Sequence, residues 1–229
     1  GFFGDFTFDN SELTPFESET VTAFEVGTKT TFAGGRAQFN GAAFFYDYED
    51  IQTIVPSAIG FRLANMEGAD IMGLDLELLA LPTDNLDLRF SIGWLDTEVN
   101  TNPNGLQASF DGNQLPNAPE LQYTIGARYE VPVSSSWSLA LQGDLKYTDE
   151  MFREATNFPV NFTDDYTVVN ARASLLQTAG NWEVALWATN LFDEDYFQEA
   201  FSSADILGSL AKFPGEPRIW GLSVSYSME

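Results

Sequence analysis

Cysteine and histidine are both missing from the 229 residues. That excludes disulfides, thiolate zinc centres, Cys-His and Ser-His-Asp triads and histidine-ligated iron within this chain. Positive charge is scarce: 10 Lys and Arg stand against 34 Asp and Glu, a formal net charge of -24. Nucleic acid is therefore not an expected partner, because binding it rests on basic side chains neutralising phosphates. No run approaches the roughly 18 consecutive apolar residues of a membrane-spanning helix. The opening GFFGDFTFDN lacks the basic and then apolar order of a secretory leader. If a membrane is crossed, strands cross it.

Aromatic residues are plentiful, at 14% of the chain, and they alternate with polar ones. In LDLRFSIGW, Leu86, Leu88, Phe90, Ile92 and Trp94 fall on one face and Asp87, Arg89, Ser91 and Gly93 on the other. LQYTIGARYEV from Leu121 and WSLALQGDLKY from Trp137 follow the same period of two. Strands are predicted over Thr20 to Phe32, Ala37 to about Tyr48, Asp70 to Leu81, Leu86 to Trp94, Leu121 to Val131 and Trp137 to Tyr147. Three more are predicted over Thr167 to Leu176, Trp182 to Leu191 and Arg218 to Met228.

Connections at Ala33, Pro82, Ser134 and Thr178 are short enough for hairpin turns. Asp47 to Gly68, Thr97 to Pro119, Asp149 to Asp165 and Phe192 to Pro217 read as loops of roughly 20 residues, uncommon in compact soluble domains. Strands of about ten alternating residues, with short turns at one end and long loops at the other, match an all-β transmembrane antiparallel barrel. Hydrocarbon cannot hydrogen-bond a free strand edge, so such a sheet must close and present an apolar outer face.

Charge placement agrees with that reading. Glu25, Asp75, Glu77, Asp87, Glu130, Asp144 and Glu183 lie in the register opposite the Leu and aromatic positions. Most other acids fall in the first 19 residues or the long loops, and DED within NLFDEDYF (190–197) is expected where a strand leaves the membrane. Trp94, Tyr147 and Tyr196 at one end, with Trp137 and Trp182 at the other, are expected to form interfacial belts. The competing reading is a soluble sandwich or propeller, since the short turns recur at a blade-like spacing. A blade, however, packs four short strands into an interval that here holds two long ones.

FEVGTKTTF from Phe24, AAFFYDYEDIQT from Ala42, GADIMGLDLEL from Gly68, WATNLFDEDYF from Trp187 and PGEPRIWGLSVSY from Pro214 together resemble the C-terminal half of TonB-dependent outer-membrane receptors. The resemblance covers nearly the whole of 1–229. It implies about nine C-terminal strands of a barrel of about 22 strands with a plugged lumen, the plug and earlier strands preceding this portion. It also implies residence in bacterial outer-membrane lipid and capture of a scarce nutrient such as a ferric siderophore. Import would be energised through a TonB complex that contacts an N-terminal region not included here. The family usually ends on an aromatic residue, whereas Met228 and Glu229 follow Tyr226.

No catalytic constellation, resident metal or cofactor is expected. Asp75 and Glu77 share a strand face, but lumen polarity balanced by Lys29, Arg89, Arg128, Lys146 and Arg172 accounts for them without acid-base chemistry. Asp164 and Asp193 head acidic clusters without the spacing of a calcium loop. For substrate contact, the candidates at the outer mouth are Tyr46, Tyr48, Gln52, Phe110, Gln114, Phe152, Arg153, Phe158, Tyr196 and Phe197. Aromatic faces with a few placed polar groups are what a binding mouth requires. The acidic balance disfavours an anionic ligand except near Arg62 and Arg153. The rival functions are a passive porin-like barrel and a soluble all-β carbohydrate-binding or propeller domain.

Overall fold

A computed structural model describes residues 2–3, 14–57, 60–101, 110–177, 181–202 and 210–227. Nine strands form one antiparallel sheet: β1 (Thr20–Phe32), β2 (Ala37–Ser57), β3 (Gly60–Thr83), β4 (Leu86–Asn100), β5 (Leu121–Pro132), β6 (Trp137–Thr148), β7 (Tyr166–Gln177), β8 (Trp182–Thr189) and β9 (Ile219–Tyr226). Each pairs with its sequence neighbours, which leaves β1 and β9 as free edges of an open sheet. Among the described residues, no helix is long and apolar enough to cross a membrane.

The predicted bounds of β1 hold at both ends, and those of β5, β6 and β7 within one residue. The predicted loop from Asp47 to Gly68 is corrected: β2 and β3 stay paired from Asp47↔Asp70 out to Ser57↔Gly60. Strand β4 likewise runs on to Asn100. Two-stranded ribbons form within the other expected loops: Met151–Phe152 with Phe162–Thr163, and Phe197–Ser202 with Leu210–Pro214. The turn expected at Thr178, residues Met228 and Glu229, and the Arg62 side chain lie outside the described residues.

Register makes the two faces explicit. Phe39, Leu78, Phe90, Ile125, Leu145 and Val169 form one row across six strands, each directly opposite the next. One residue along, the row is Lys29, Asn40, Glu77, Ser91, Thr124 and Lys146. Because side chains alternate across a strand, the first row covers one face and the second the other. Away from the sheet edges, Leu186 remains 56% exposed, Ile125 47% and Leu141 47%. Burying such a side chain is worth about 1.5–3 kcal/mol, so a face with this many uncovered requires an apolar surround.

The apolar face ends abruptly at its upper edge. Phe45 pairs with Met72 and Leu74 with Trp94, whereas one rung above Phe45 and Met72 lie Asp47, Asp70 and Glu98, opposite one another on three strands. Like charges in direct opposition are unfavourable; here all three are exposed, and Asn100 Nδ2 donates to Asp70 Oδ2 at 3.0 Å. This change of polarity marks the upper limit of the apolar zone of the sheet.

At the opposite end the β1–β2 connection turns through Gly34 and Gly35, at φ 69 and 88, conformations that cost glycine little. Arg36 then donates through Nε to the Leu81 carbonyl at 2.9 Å and through NH1 to Asp84 at 2.7 Å. It thereby joins neighbouring short turns.

Candidate ligand-binding mouth

Below the mouth, the polar face is a hydrogen-bonded wall. Asn40 Nδ2 donates to Glu77 at 2.6 Å and Asn170 Nδ2 to Asp144 at 2.7 Å. Arg128 pairs with Glu130 and Arg172 with Glu183, each at 2.6 Å, and Ser174 adds a second donor to Glu183. Glu25, Lys29, Asp75, Glu77 and Lys146 border a hollow of about 670 Å³. All seven acids placed opposite the apolar register therefore lie on this face. Glu77 serves as an acceptor within the wall.

The structure distributes the ten mouth candidates over two groups. On the polar face of the β2–β3 hairpin, Tyr46 stacks on Phe44 with centroids 4.9 Å apart. Tyr48 lies one step further out, level with the acidic rim. Burial, and then the Glu19 carboxylate, push its pKa above the ordinary 10, so the phenol remains a donor. Gln52 has a structural occupation: its Nε2 donates to the Glu17 carbonyl at 3.2 Å and its backbone N–H to Glu19 at 3.1 Å. Asn65, directly opposite, exchanges two further bonds with Glu17. Together they hold the chain entering β1 against the hairpin.

The second group comes from three external segments, 110–120, 149–165 and 192–217. Phe110 caps a turn by accepting from Asn113 N. Gln114 accepts from Asn157 Nδ2 at 2.9 Å through its carbonyl, its N–H donates to Asn157 Oδ1 at 2.8 Å, and its side chain donates to the Ala118 carbonyl. Phe152 meets Phe162 edge to face at 5.2 Å, while Phe158 stays 49% exposed. Tyr196 stacks on Tyr166 at 4.5 Å. Since Tyr166 shares the alternation of Asn170 and Arg172, Tyr196 stacks on the polar face and not on the apolar one. Of the other expected belt positions, Trp94 Nε1 donates to Glu120 and the Tyr147 hydroxyl to Asp149.

The acidic stretch after β8 is organised by Asn190, which is 2% exposed with φ 46. Its Nδ2 donates to the Glu194 and Glu216 carbonyls, its Oδ1 accepts from Glu194 N, and its own N–H donates to Asn170 Oδ1. Asp193, at φ 60, accepts from the Arg218 N–H at 2.9 Å. That carboxylate fastens the exit of β8 to the entry of β9. Replacing Asn190 by glycine keeps the left-handed backbone and removes three side-chain bonds. The segment 191–217 should then be cleaved about five- to a hundredfold faster in limited proteolysis, at about 1–3 kcal/mol for stranded buried groups. Asn190→Ala, which adds backbone strain, should be cleaved faster still.

With this geometry in view, comparison with known proteins is decisive. The model of the family described as TonB dependent receptor-like, beta-barrel, matches residues 2–191. The chain belongs to this family. PiuA of Acinetobacter baumannii, described as a probable TonB-dependent siderophore receptor, is 24% identical over 202 residues, covering 85% of this chain and 25% of PiuA. The metal-pseudopaline receptor CntO of Pseudomonas aeruginosa is 24% identical over 210 residues, 92% of this chain and 28% of CntO. In fold, the ferric yersiniabactin uptake receptor FyuA of Yersinia pestis superposes with a TM-score of 0.81 at 16% identity, over 98% of this chain and 32% of FyuA.

The chain thus spans about a quarter to a third of the relatives it matches. As part of a TonB-dependent receptor barrel its sheet is a section of wall, which accounts for the free edges at β1 and β9. The family is one of transport receptors. Sequence reasoning missed Asn113, Asn117, Asn157 and Asn190, which order the segments between the strands. The sequence signal for the last three is that asparagine tolerates positive φ, realised at 58 for Asn117, 48 for Asn157 and 46 for Asn190.

Proposed function

We propose that this chain is the C-terminal wall and mouth of an outer-membrane receptor that binds a metal chelate, most simply a ferric siderophore, and imports it with energy transmitted by TonB. The observation that carries the reading is the two-faced wall: apolar rows outward, hydrogen-bonded charges inward, and a polar rim where the strands leave the apolar zone. Family membership and the siderophore- and metal-receptor relatives support the cargo class. Tyr46, Tyr48, Phe110, Phe158 and Tyr196 offer aromatic faces to the ligand, with the Phe152 and Phe197 rings beside them. Gln52, Gln114 and Arg153 act chiefly by holding those faces in place. Binding shifts the receptor between states that differ in their exposure to the energising partner, with no covalent step.

The test is uptake of radioactive iron, supplied as ferric citrate and as ferric catecholates, by iron-starved cells whose only such receptor is the full protein carrying this chain. Accumulation should occur in cells with TonB and fall to background in cells lacking it. Entry that persists without TonB, or small-solute leakage through reconstituted vesicles, favours a passive pore and contradicts the proposal.

A further inference from the structure

Three of the receptor's external segments meet at one side chain. Arg153 donates through Nε to Thr163 Oγ1 at 3.1 Å, through NH1 to Asn117 Oδ1 at 2.9 Å and through NH2 to the Phe197 carbonyl at 2.9 Å. Those acceptors belong respectively to the far limb of its own segment, to the preceding segment and to the following ribbon. A planar guanidinium, with donors fixed in a fork, suits three acceptors in different directions; an ammonium on a flexible stem does not.

The remaining ties are unevenly shared. Segments 110–120 and 149–165 are also joined by the reciprocal Gln114–Asn157 bonds, by Asn113 Nδ2 to the Ala155 carbonyl at 2.8 Å and by Asn117 N to the Phe152 carbonyl at 2.8 Å. Among the described residues, the ribbon Phe197–Ser202/Leu210–Pro214 has fewer polar ties to them. Lys212 Nζ reaches the Phe162 carbonyl at 3.4 Å and lies 5.0 Å from the centre of the Phe197 ring.

We propose that Arg153 is the positioning residue that locks the 197–214 ribbon onto a preassembled cap formed by 110–120 and 149–165. The mouth then presents Phe158, Tyr196 and Phe197 to a ligand as one body, and Arg153 acts through that cap without touching the ligand. That these aromatics face a ligand rests on the receptor reading; the clasp itself does not.

Hydrogen-deuterium exchange on the full receptor in nanodiscs, with no ligand added, tests the clasp separately from that reading. Arg153→Met and Arg153→Lys should each speed exchange in the 197–200 and 211–213 amides about tenfold or more, the loss of one charge-assisted bond. Amides of 113–115, of Asn117 and of strands β5 and β6 should keep their rates and so report an intact barrel. Asn157→Ala should give the complementary pattern, loosening Gln114 and its neighbours while the ribbon keeps its protection. Unchanged ribbon exchange in both Arg153 variants, equal loosening of all three segments, or release of the ribbon by Asn157→Ala would each overturn the proposal.

Discussion

Replacing Phe90 by arginine is expected to cost the receptor about 2–4 kcal/mol of stability in a bilayer, whereas Ser91→Arg one position along should cost well under half as much. Phe90 lies midway along the apolar stretch of β4 that runs from Leu86 to Trp94, in the row with Leu78 and Ile125. An arginine there enters hydrocarbon near the midplane, where measured penalties for barrels reach that magnitude, falling toward zero at the interfaces. Ser91 lies in the polar row between Glu77 and Thr124, so its arginine would enter a wet wall already rich in carboxylates. Urea titration of the protein folded into lipid vesicles, followed by tryptophan emission, measures both variants. The soluble-domain reading predicts no such dependence on lipid. Equal penalties at 90 and 91 would contradict the assigned sidedness.

The second large effect is expected at Gly73, which lies on the polar face directly opposite Phe44. The Phe44 ring covers it: a Cβ placed there would approach Phe44 Cζ to 2.4 Å and the Trp94 carbonyl oxygen to 2.7 Å. A ring can swing aside, but the carbonyl belongs to the β4 ladder and cannot. Overpacking of this kind costs about 1–3 kcal/mol, and Gly73→Val should lie at the upper end or prevent assembly. Adding Phe44→Ala to Gly73→Ala should recover only part of the loss, because the backbone clash remains. Full recovery would show that the ring alone demands glycine; no recovery would place the whole cost on the β4 backbone. Displacing Phe44 should also disturb Tyr46, its stacking partner in the mouth.

Strands were most legible across the apolar zone of the sheet. In LDLRFSIGW every second residue is apolar because it lies on the face that requires an apolar surround, so the period of two survives without interruption. Beyond Phe45 and Met72 that requirement ends. The hairpin continues through YDYEDIQT on backbone pairing and on the side-chain bonds of Gln52 and Asn65, with charged residues at adjacent positions and a left-handed Asp50 at φ 55. Pattern reading therefore stopped at Tyr48, nine residues short of the strand's end. Sidedness was legible for a related reason: an ionised group in hydrocarbon is costly enough that Asp75, Glu77 and Asp144 had one acceptable face.

The mouth was legible in composition but not in wiring. Aromatic and amide residues in the external segments identified candidates, yet what each side chain does is set by partners far away in sequence. Gln52 bonds to Glu17, Arg153 to Asn117 and Phe197, and Asn190 to Asn170 and Glu216. Nothing local distinguishes an arginine that contacts a ligand from one that closes three segments onto each other. NLFDEDYF shows the same limit: its acids read as solvated loop, but Asp193 fastens Arg218 while Asn190, the uncharged neighbour, organises the turn.

The absence of cysteine permits the most direct test of the central claim, because this chain adds no background thiol. Single cysteines at Phe90, Ile125, Ser91 and Thr124, placed in the full receptor and folded into vesicles of brominated lipid, can each be labelled before folding with an environment-sensitive fluorophore. The account predicts strong quenching by the bromines at 90 and 125 and little at 91 and 124. Reversed quenching, or equal quenching at all four positions, would contradict it.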